Sequence, residues 1–409
     1  MILKKLATTF CITLMVLFVR SQSSVALTPP MGWNSWNLFE EDVSDKLIRE
    51  IADALVSSGM SRAGYQYIVI DDFWVGGRNA SNELFPDPIR FPHGIKALAD
   101  YVHSKGLKLG IYSDAAALTC GGVTGSYNFE ERDATTFANW GIDYLKYDYC
   151  NAPGDMVTAF TRYKKMGDAL RSTGRLIVYS ICEWGQRQPW LWARAAGGHL
   201  WRTTWDMRDT WLSDRYDNGH NGIMNTIEKQ KGLEKYAGPG GWNDPDLLVT
   251  GLSGKGKSSS LNGRFTGCSL TEYRSQFAVW CMLASPLMVN LDVRRMDTAV
   301  KAILLNKELI AIDQDVLGSQ ASVVIDANGW LVFKKELSND RYAICVLNRQ
   351  NVSAYFSFNL ESALKMHGRW NAQEIFTNRR LRGVKTFTGE LTAHDCVIYV
   401  LSAMNSLTK

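Results

Sequence analysis

Acidic side chains recur in this 409-residue chain wherever a short β-prone run stops. In Gly141-Ile142-Asp143-Tyr144-Leu145-Lys146-Tyr147-Asp148-Tyr149-Cys150 an apolar run ends at Lys146 and Asp148. The same happens at Asp71 and Asp72, at Tyr112 and Asp114, at Glu183, at Arg202 and Asp206, and at Asp244 and Asp246. Carboxylates gathered on one face need a substrate that tolerates their repulsion, and a hydroxyl-rich sugar does so by donating hydrogen bonds to them. Two of them can also hydrolyse a glycosidic bond, one attacking the anomeric carbon or activating water while the other protonates the leaving oxygen. Asp148, delivered by a buried strand, is the first candidate for a catalytic residue. A transition metal would offset the charge but would be expected to recruit histidine. None of the six His lies in the set, so no metal site is expected.

These groups meet only if the runs that carry them are parallel neighbours. Eight β-prone runs alternate with amphipathic segments: Met31 to Trp36, Tyr67 to Ile70, Leu107 to Tyr112, Tyr144 to Tyr147, Leu176 to Ser180, Leu200 to Thr203, Gly241 to Asn243 and Leu287 to Asn290. That pattern predicts an α/β fold, a (β/α)8 TIM barrel whose strand ends form one rim. Ser44 is placed to cap a helix in which Leu47, Ile48, Ile51, Ala52 and Leu55 recur at helical spacing, and a second helix is expected from Thr271 through Phe277 to Leu283. After about Gln320 the helical spacing disappears. Runs such as Trp330-Leu331-Val332-Phe333 and Tyr342 to Leu347, broken by Asn, Asp and Gly, predict an antiparallel β-sandwich. The expected organisation is a signal peptide over 1–26, the barrel over 27–318 and the β domain over 319–409.

The signal-peptide reading rests on Lys4 and Lys5, an apolar run from Leu6 to Val19, and small polar residues to Ala26. It implies export to the periplasm or outside the cell. No second long apolar segment follows, so no membrane span is expected in the mature chain. Without Lys4, Lys5 and Arg20 the basic residues fall from 45 to 42 against 41 acidic ones, a balance that gives no reason to expect nucleic-acid binding. Of eight Cys, Cys11 lies in the leader, and the rest are scattered without a CxxC pair. The 14 Trp suit both core packing and stacking against sugars. Asn79 and Asn351 each begin an Asn-x-Ser site.

Read together, Met31-Gly32-Trp33-Asn34-Ser35-Trp36, Asp71-Asp72, Lys146-Tyr147-Asp148, Cys182-Glu183-Trp184, Trp201-Arg202-Thr203-Thr204 and Gly241-Trp242-Asn243-Asp244-Pro245-Asp246 resemble glycoside hydrolase family 27, in family order. The resemblance implies a retaining α-galactosidase that works without a cofactor. By motif position Asp148 would be the nucleophile and Asp206 the general acid and then base. Asp71 and Asp72 would hold sugar hydroxyls, Lys146 and Arg202 further oxygens, and Trp36 an apolar wall. Tyr112, Glu183, Trp184 and Asp246 match pocket-lining positions, whereas Asp114 and Asp244 read as structural. The resemblance also implies a disulfide between Cys120 and Cys150.

Two departures remove other disulfides: Phe73 stands where many relatives carry Cys, and Cys182 lacks its usual partner, with Gly197-Gly198 nearby. A third is the polar stretch within Gly251 to Gly267, whose composition is that of a mobile, solvated insertion but which is placed to touch a leaving group. Alternatives for the substrate are β-L-arabinopyranosides and α-N-acetylgalactosaminides. A non-catalytic sugar-binding protein on this fold would be expected to lack an acid at 148 or 206.

Overall fold

The computed structural model describes residues 25–214 and 220–404, so the leader over 1–26 falls almost wholly outside the described residues. Eight parallel strands form the first sheet: β1 (Met31–Asn34), β2 (Tyr67–Val69), β3 (Lys108–Asp114), β4 (Tyr144–Asp148), β5 (Val178–Ile181), β6 (Leu200–Arg202), β7 (Trp242–Asp244) and β8 (Leu287–Val289). β1 pairs with both β2 and β8, and a parallel bridge from Leu248 to Val289 links the segment after β7 back to β8, closing the barrel. Each strand lies within two residues of its expected run. Because every strand runs the same way, all their C-terminal ends face one rim.

The helix capped by Ser44 spans Asp45–Ser58, with the Ser44 hydroxyl accepting from the Leu47 N–H. Leu47, Ile48, Ile51, Ala52 and Leu55 are all buried on its inner face, as the spacing requires. The second expected helix, Leu270–Met282, starts one residue before Thr271. Its cap is Ser269, which exchanges hydrogen bonds with Glu272 in a capping box. This helix is buried on nearly every side, because the barrel covers one face and the β domain the other.

Beyond the helix Lys307–Asp313 the chain forms β9 (Ser322–Ala327), β10 (Trp330–Leu337), β11 (Arg341–Asn348), β12 (Ala354–Asn359), β13 (Trp370–Glu374), β14 (Arg380–Val384), β15 (Thr386–Leu391) and β16 (Cys396–Ala403). Six of these make an antiparallel sheet in the order β9-β10-β11-β16-β13-β14, and β12 pairs with β15 across a second core of Phe356, Phe387, Tyr399 and Leu401. The two domains are joined by specific contacts. Arg274 pairs with Asp395 at 2.5 Å, Ser275 Oγ donates to the His394 carbonyl, and the buried Lys335 ammonium donates to the Cys281 carbonyl.

Candidate active site

Alternation along β4 determines which of its side chains face the barrel axis. Tyr147 points outward into an aromatic cluster with Tyr163 and Tyr179, so Lys146 and Asp148 both point inward. The Lys146 ammonium donates to Asp71 Oδ2 at 2.8 Å and lies 5.2 Å above the Tyr112 ring. Asp71 Oδ2 also accepts from Asn34 Nδ2 at 2.8 Å, while Asn34 Oδ1 accepts from the Trp36 N–H. Thus the ends of β1, β2, β3 and β4 meet through three contacts, Asn34 to Asp71, Asp71 to Lys146 and Lys146 to Tyr112. Trp36 stacks on Phe73, with ring centroids 6.3 Å apart.

Asp72 is held differently, by the backbone. Its oxygens accept from the N–H groups of Phe73 and Gly121, both at 2.8 Å. Gly121 follows Cys120, and Cys120 is disulfide-bonded to Cys150, two residues beyond Asp148. The Tyr112 hydroxyl reaches Cys120 Sγ at 3.1 Å. Asp114 accepts from the N–H groups of Ala116 and Cys150, which fixes the same loops and fits its structural reading. Asp114 and Asp148 also lie close to the two half-cystines, but sulfurs joined to each other are poor metal ligands.

On the opposite wall, Arg202 is 3% exposed and joins two carboxylates: Nη1 reaches Asp246 at 3.0 Å and Nη2 reaches Asp206 at 3.1 Å. Asp246 in turn accepts from the Met207 N–H at 2.6 Å, and its own N–H donates to Asp244. The residues after β6 and β7 are therefore tied together behind Asp206. Glu183 is buried and tied back to Arg187 through Oε2, and its Oε1 meets no hydrogen-bond donor at bonding geometry among the described residues. Trp184 stacks on Trp205 at 5.0 Å.

Exposure separates the two candidate catalytic acids. Asp148 is 4% exposed at the bottom of the site, while the Asp206 side chain is 37% exposed at the rim. Burial pushes the Asp148 carboxyl up to about 7; Lys146 opposes this, while Asp206 and Asp71 reinforce it. Enclosure would raise Asp206 too, but Arg202, Arg208 and Lys146 hold it below the ordinary value. Burial lifts Asp246 to about 6 against Arg202, and lifts Glu183 to about 7 against Arg187.

The insertion after β7 is anchored, contrary to what its composition suggests. Gly254 N–H donates to Asp209, Lys257 pairs with Glu41 at 2.7 Å, Ser258 N–H donates to Glu40, and Arg208 donates to the Ser258 carbonyl at 3.0 Å. Ser259 and Ser260 are buried. Asn34, Trp205, Arg208 and Asp209 are site or support residues that the strand-end reading missed. Asn34 and Trp205 stand inside or beside motifs already singled out, whereas Arg208 and Asp209 gain meaning only from partners about 50 residues away.

An eight-stranded parallel barrel whose C-terminal rim gathers buried acids around one lysine and one arginine, with a β-sandwich appended, has the architecture of a glycoside hydrolase. The chain belongs to the alpha galactosidase A family, glycoside hydrolase family 27: residues 28–315 match that family, and residues 327–401 match its C-terminal β-sandwich domain. It is 45% identical over 336 residues to alpha-galactosidase A of Cellvibrio japonicus, covering 82% of this chain and 79% of that protein. It is 41% identical over 384 residues to an alpha-galactosidase of Oryza sativa, covering 93% and 86%. The structure superposes on alpha-galactosidase I of Mortierella vinacea with a TM-score of 0.86 at 34% identity, covering 93% of this chain and 98% of that one.

Proposed function

We propose that the protein is a retaining α-galactosidase that removes terminal α-linked galactose from oligosaccharides or glycoconjugates. The observation that carries this reading is the pairing of a buried acid with a rim acid. Asp148, deep beside Lys146, attacks the anomeric carbon from below as a carboxylate. The glycosidic bond breaks as Asp206 gives its proton to the leaving oxygen. Asp206, now ionised and open to solvent, then takes a proton from water, whose oxygen attacks the same carbon and releases Asp148. Solvent access suits the group that exchanges protons, and depth suits the nucleophile. Asp71, Asp72 and Lys146 hold the sugar's hydroxyls, Trp36 covers its apolar face, and Arg202 positions Asp206.

In this reading the barrel runs to residue 318 and the β domain starts at 319, between the last barrel helix and β9. The N-terminal leader directs export, so the protein acts outside the cytoplasm. Among the described residues no helix is long and apolar enough to cross a membrane.

The test is hydrolysis of nitrophenyl α-galactoside, β-L-arabinopyranoside and α-N-acetylgalactosaminide by the purified chain and by Asp148→Asn. Preferred cleavage of the galactoside, lost by at least about 10⁴-fold in the variant, is expected. Preference for either other sugar, or an active Asp148→Asn, overturns the assignment.

A further inference from the structure

The departing half of the substrate must begin where Asp206 can reach its oxygen, and the side chain preceding that acid is a tryptophan. Trp205 is half-buried, and its ring lies against Trp184 at 5.0 Å with the planes 14° apart. Large aromatic side chains elsewhere in the barrel, such as Trp33, Trp74, Trp201, Trp242 and Trp280, are sealed in the core, whereas this pair is only partly buried.

Its geometry is imposed. Trp184 has φ 59°, a left-handed conformation costly for a bulky residue, and Gly185 continues it at φ 76°. A Cβ on Gly185 would lie 2.1 Å from the Thr203 carbonyl, so this turn presses directly on the segment leading to Trp205. Asn221 clamps the other side, donating from Nδ2 to the Trp205 carbonyl at 3.0 Å and from its N–H to the Asp206 carbonyl at 3.2 Å. Platform and acid are thereby one rigid unit. Strain of this kind persists where surroundings over-determine it, and it gathers at functional sites.

We propose that the stacked Trp184–Trp205 pair is the floor of the leaving-group site and that it selects a pyranose sugar as the leaving group. A flat, partly exposed indole pair suits the C–H face of such a ring, and the adjacent Asp206 carboxyl and Arg208 guanidinium suit its hydroxyls. A lipid leaving group would gain from the indoles but would strand those polar groups against alkyl chain. The inference rests on the retaining α-galactosidase reading given above.

The test compares kcat/KM for an α-galactosyl-(1→6)-glucose disaccharide with that for methyl α-galactoside. Both need a proton from Asp206, but only the first places a ring on the platform. Trp205→Ala should lower the disaccharide-to-methyl ratio about tenfold, while Trp205→Phe, which keeps a flat ring and reports on folding, should retain most of it. An unchanged ratio in Trp205→Ala overturns the inference. So does an equal loss on both substrates, which would make Trp205 a positioning residue for Asp206. If the native chain cleaves neither galactoside, the α-galactosidase reading fails and takes this inference with it.

Discussion

Replacing Arg202 with Met keeps most of the buried stem and removes the guanidinium between Asp206 and Asp246. The two lost contacts differ in weight. Asp206 is more than a third exposed, so solvent already screens its pair with Arg202 and the loss costs less than about 1 kcal/mol. The Asp246 side chain is 4% exposed, and a buried carboxylate that loses its cation costs about 3–5 kcal/mol if it stays charged. It can escape by binding a proton, which makes the effect depend on pH. Asp246 already stands at about 6, above the roughly 3.9 of an unfolded Asp. The folded state therefore binds more protons than the unfolded one between those values, and stability falls as pH rises through that window. Without Arg202 the folded value moves higher, and the window of falling stability extends above pH 6. The variant's deficit should grow by up to about 1.4 kcal/mol per pH unit there. At pH 5 Asp246 is protonated in the variant, leaving mainly the lost hydrogen bond to the Thr204 carbonyl, about 1 kcal/mol. With roughly 2 °C per kcal/mol for a large domain, calorimetry should find the barrel Tm lowered by about 6 °C at pH 8 and about 2 °C at pH 5. Equal losses at the two pH values, or a larger one at pH 5, would refute the electrostatic account of this wall.

Gly167 lies inside the helix Met156–Ser172, where exchange for Ala ordinarily stabilises, but a Cβ there would sit 2.0 Å from the Ala196 carbonyl. Gly167→Ala should therefore lower Tm, and an unchanged or higher Tm would show that the two backbones separate at little cost. Cys120→Ser opens a disulfide spanning 30 residues, worth about 3–4 kcal/mol in chain entropy, so its Tm should drop and the native Tm should become sensitive to reductant. If reductant leaves the native Tm unmoved while the thiols become titratable, the clamp on the loops beside Asp148 contributes little.

Strand periodicity made the rim legible. Lys146 and Asp148 are two residues apart and so share a face, and eight parallel runs ending in polar groups can meet only at one end of a barrel. What stayed hidden was set by distant partners. The helix Leu270–Met282 carries no one-sided apolar stripe because the β domain covers its outer face, and that covering surface comes from strands about 60 to 130 residues later. The Gly251 to Gly267 insertion reads as solvated because serine, glycine and lysine dominate it. Its fixation depends on Glu40 and Glu41, more than 200 residues earlier, and on Arg208 and Asp209. The sequence singles out Phe73 but reveals neither the left-handed turn it adopts after Asp72 nor its stacking on Trp36.

In the free protein the surroundings bias the two central acids against the states that the reaction needs. Burial, Asp206 and Asp71 raise the proposed nucleophile, while Arg202 and Arg208 depress the proposed acid. The charge on Asp206 raises Asp148, so the pH dependence belongs to both groups together. Substrate can invert this bias. A glycosidic oxygen accepting from Asp206 favours its protonated form, and positive charge growing at the anomeric carbon favours ionised Asp148. Asp206→Asn separates the two effects, because it deletes the negative charge that helps raise Asp148. The nucleophile should then ionise at lower pH. On an aryl galactoside whose leaving group needs no proton, the acid limb of kcat/KM should move below about 7, even as turnover of methyl α-galactoside falls by about 10²–10⁴-fold. An acid limb that stays in place or moves upward would mean that Asp206 does not act on Asp148 through its charge, and that burial, Lys146 and Asp71 set the nucleophile's proton affinity.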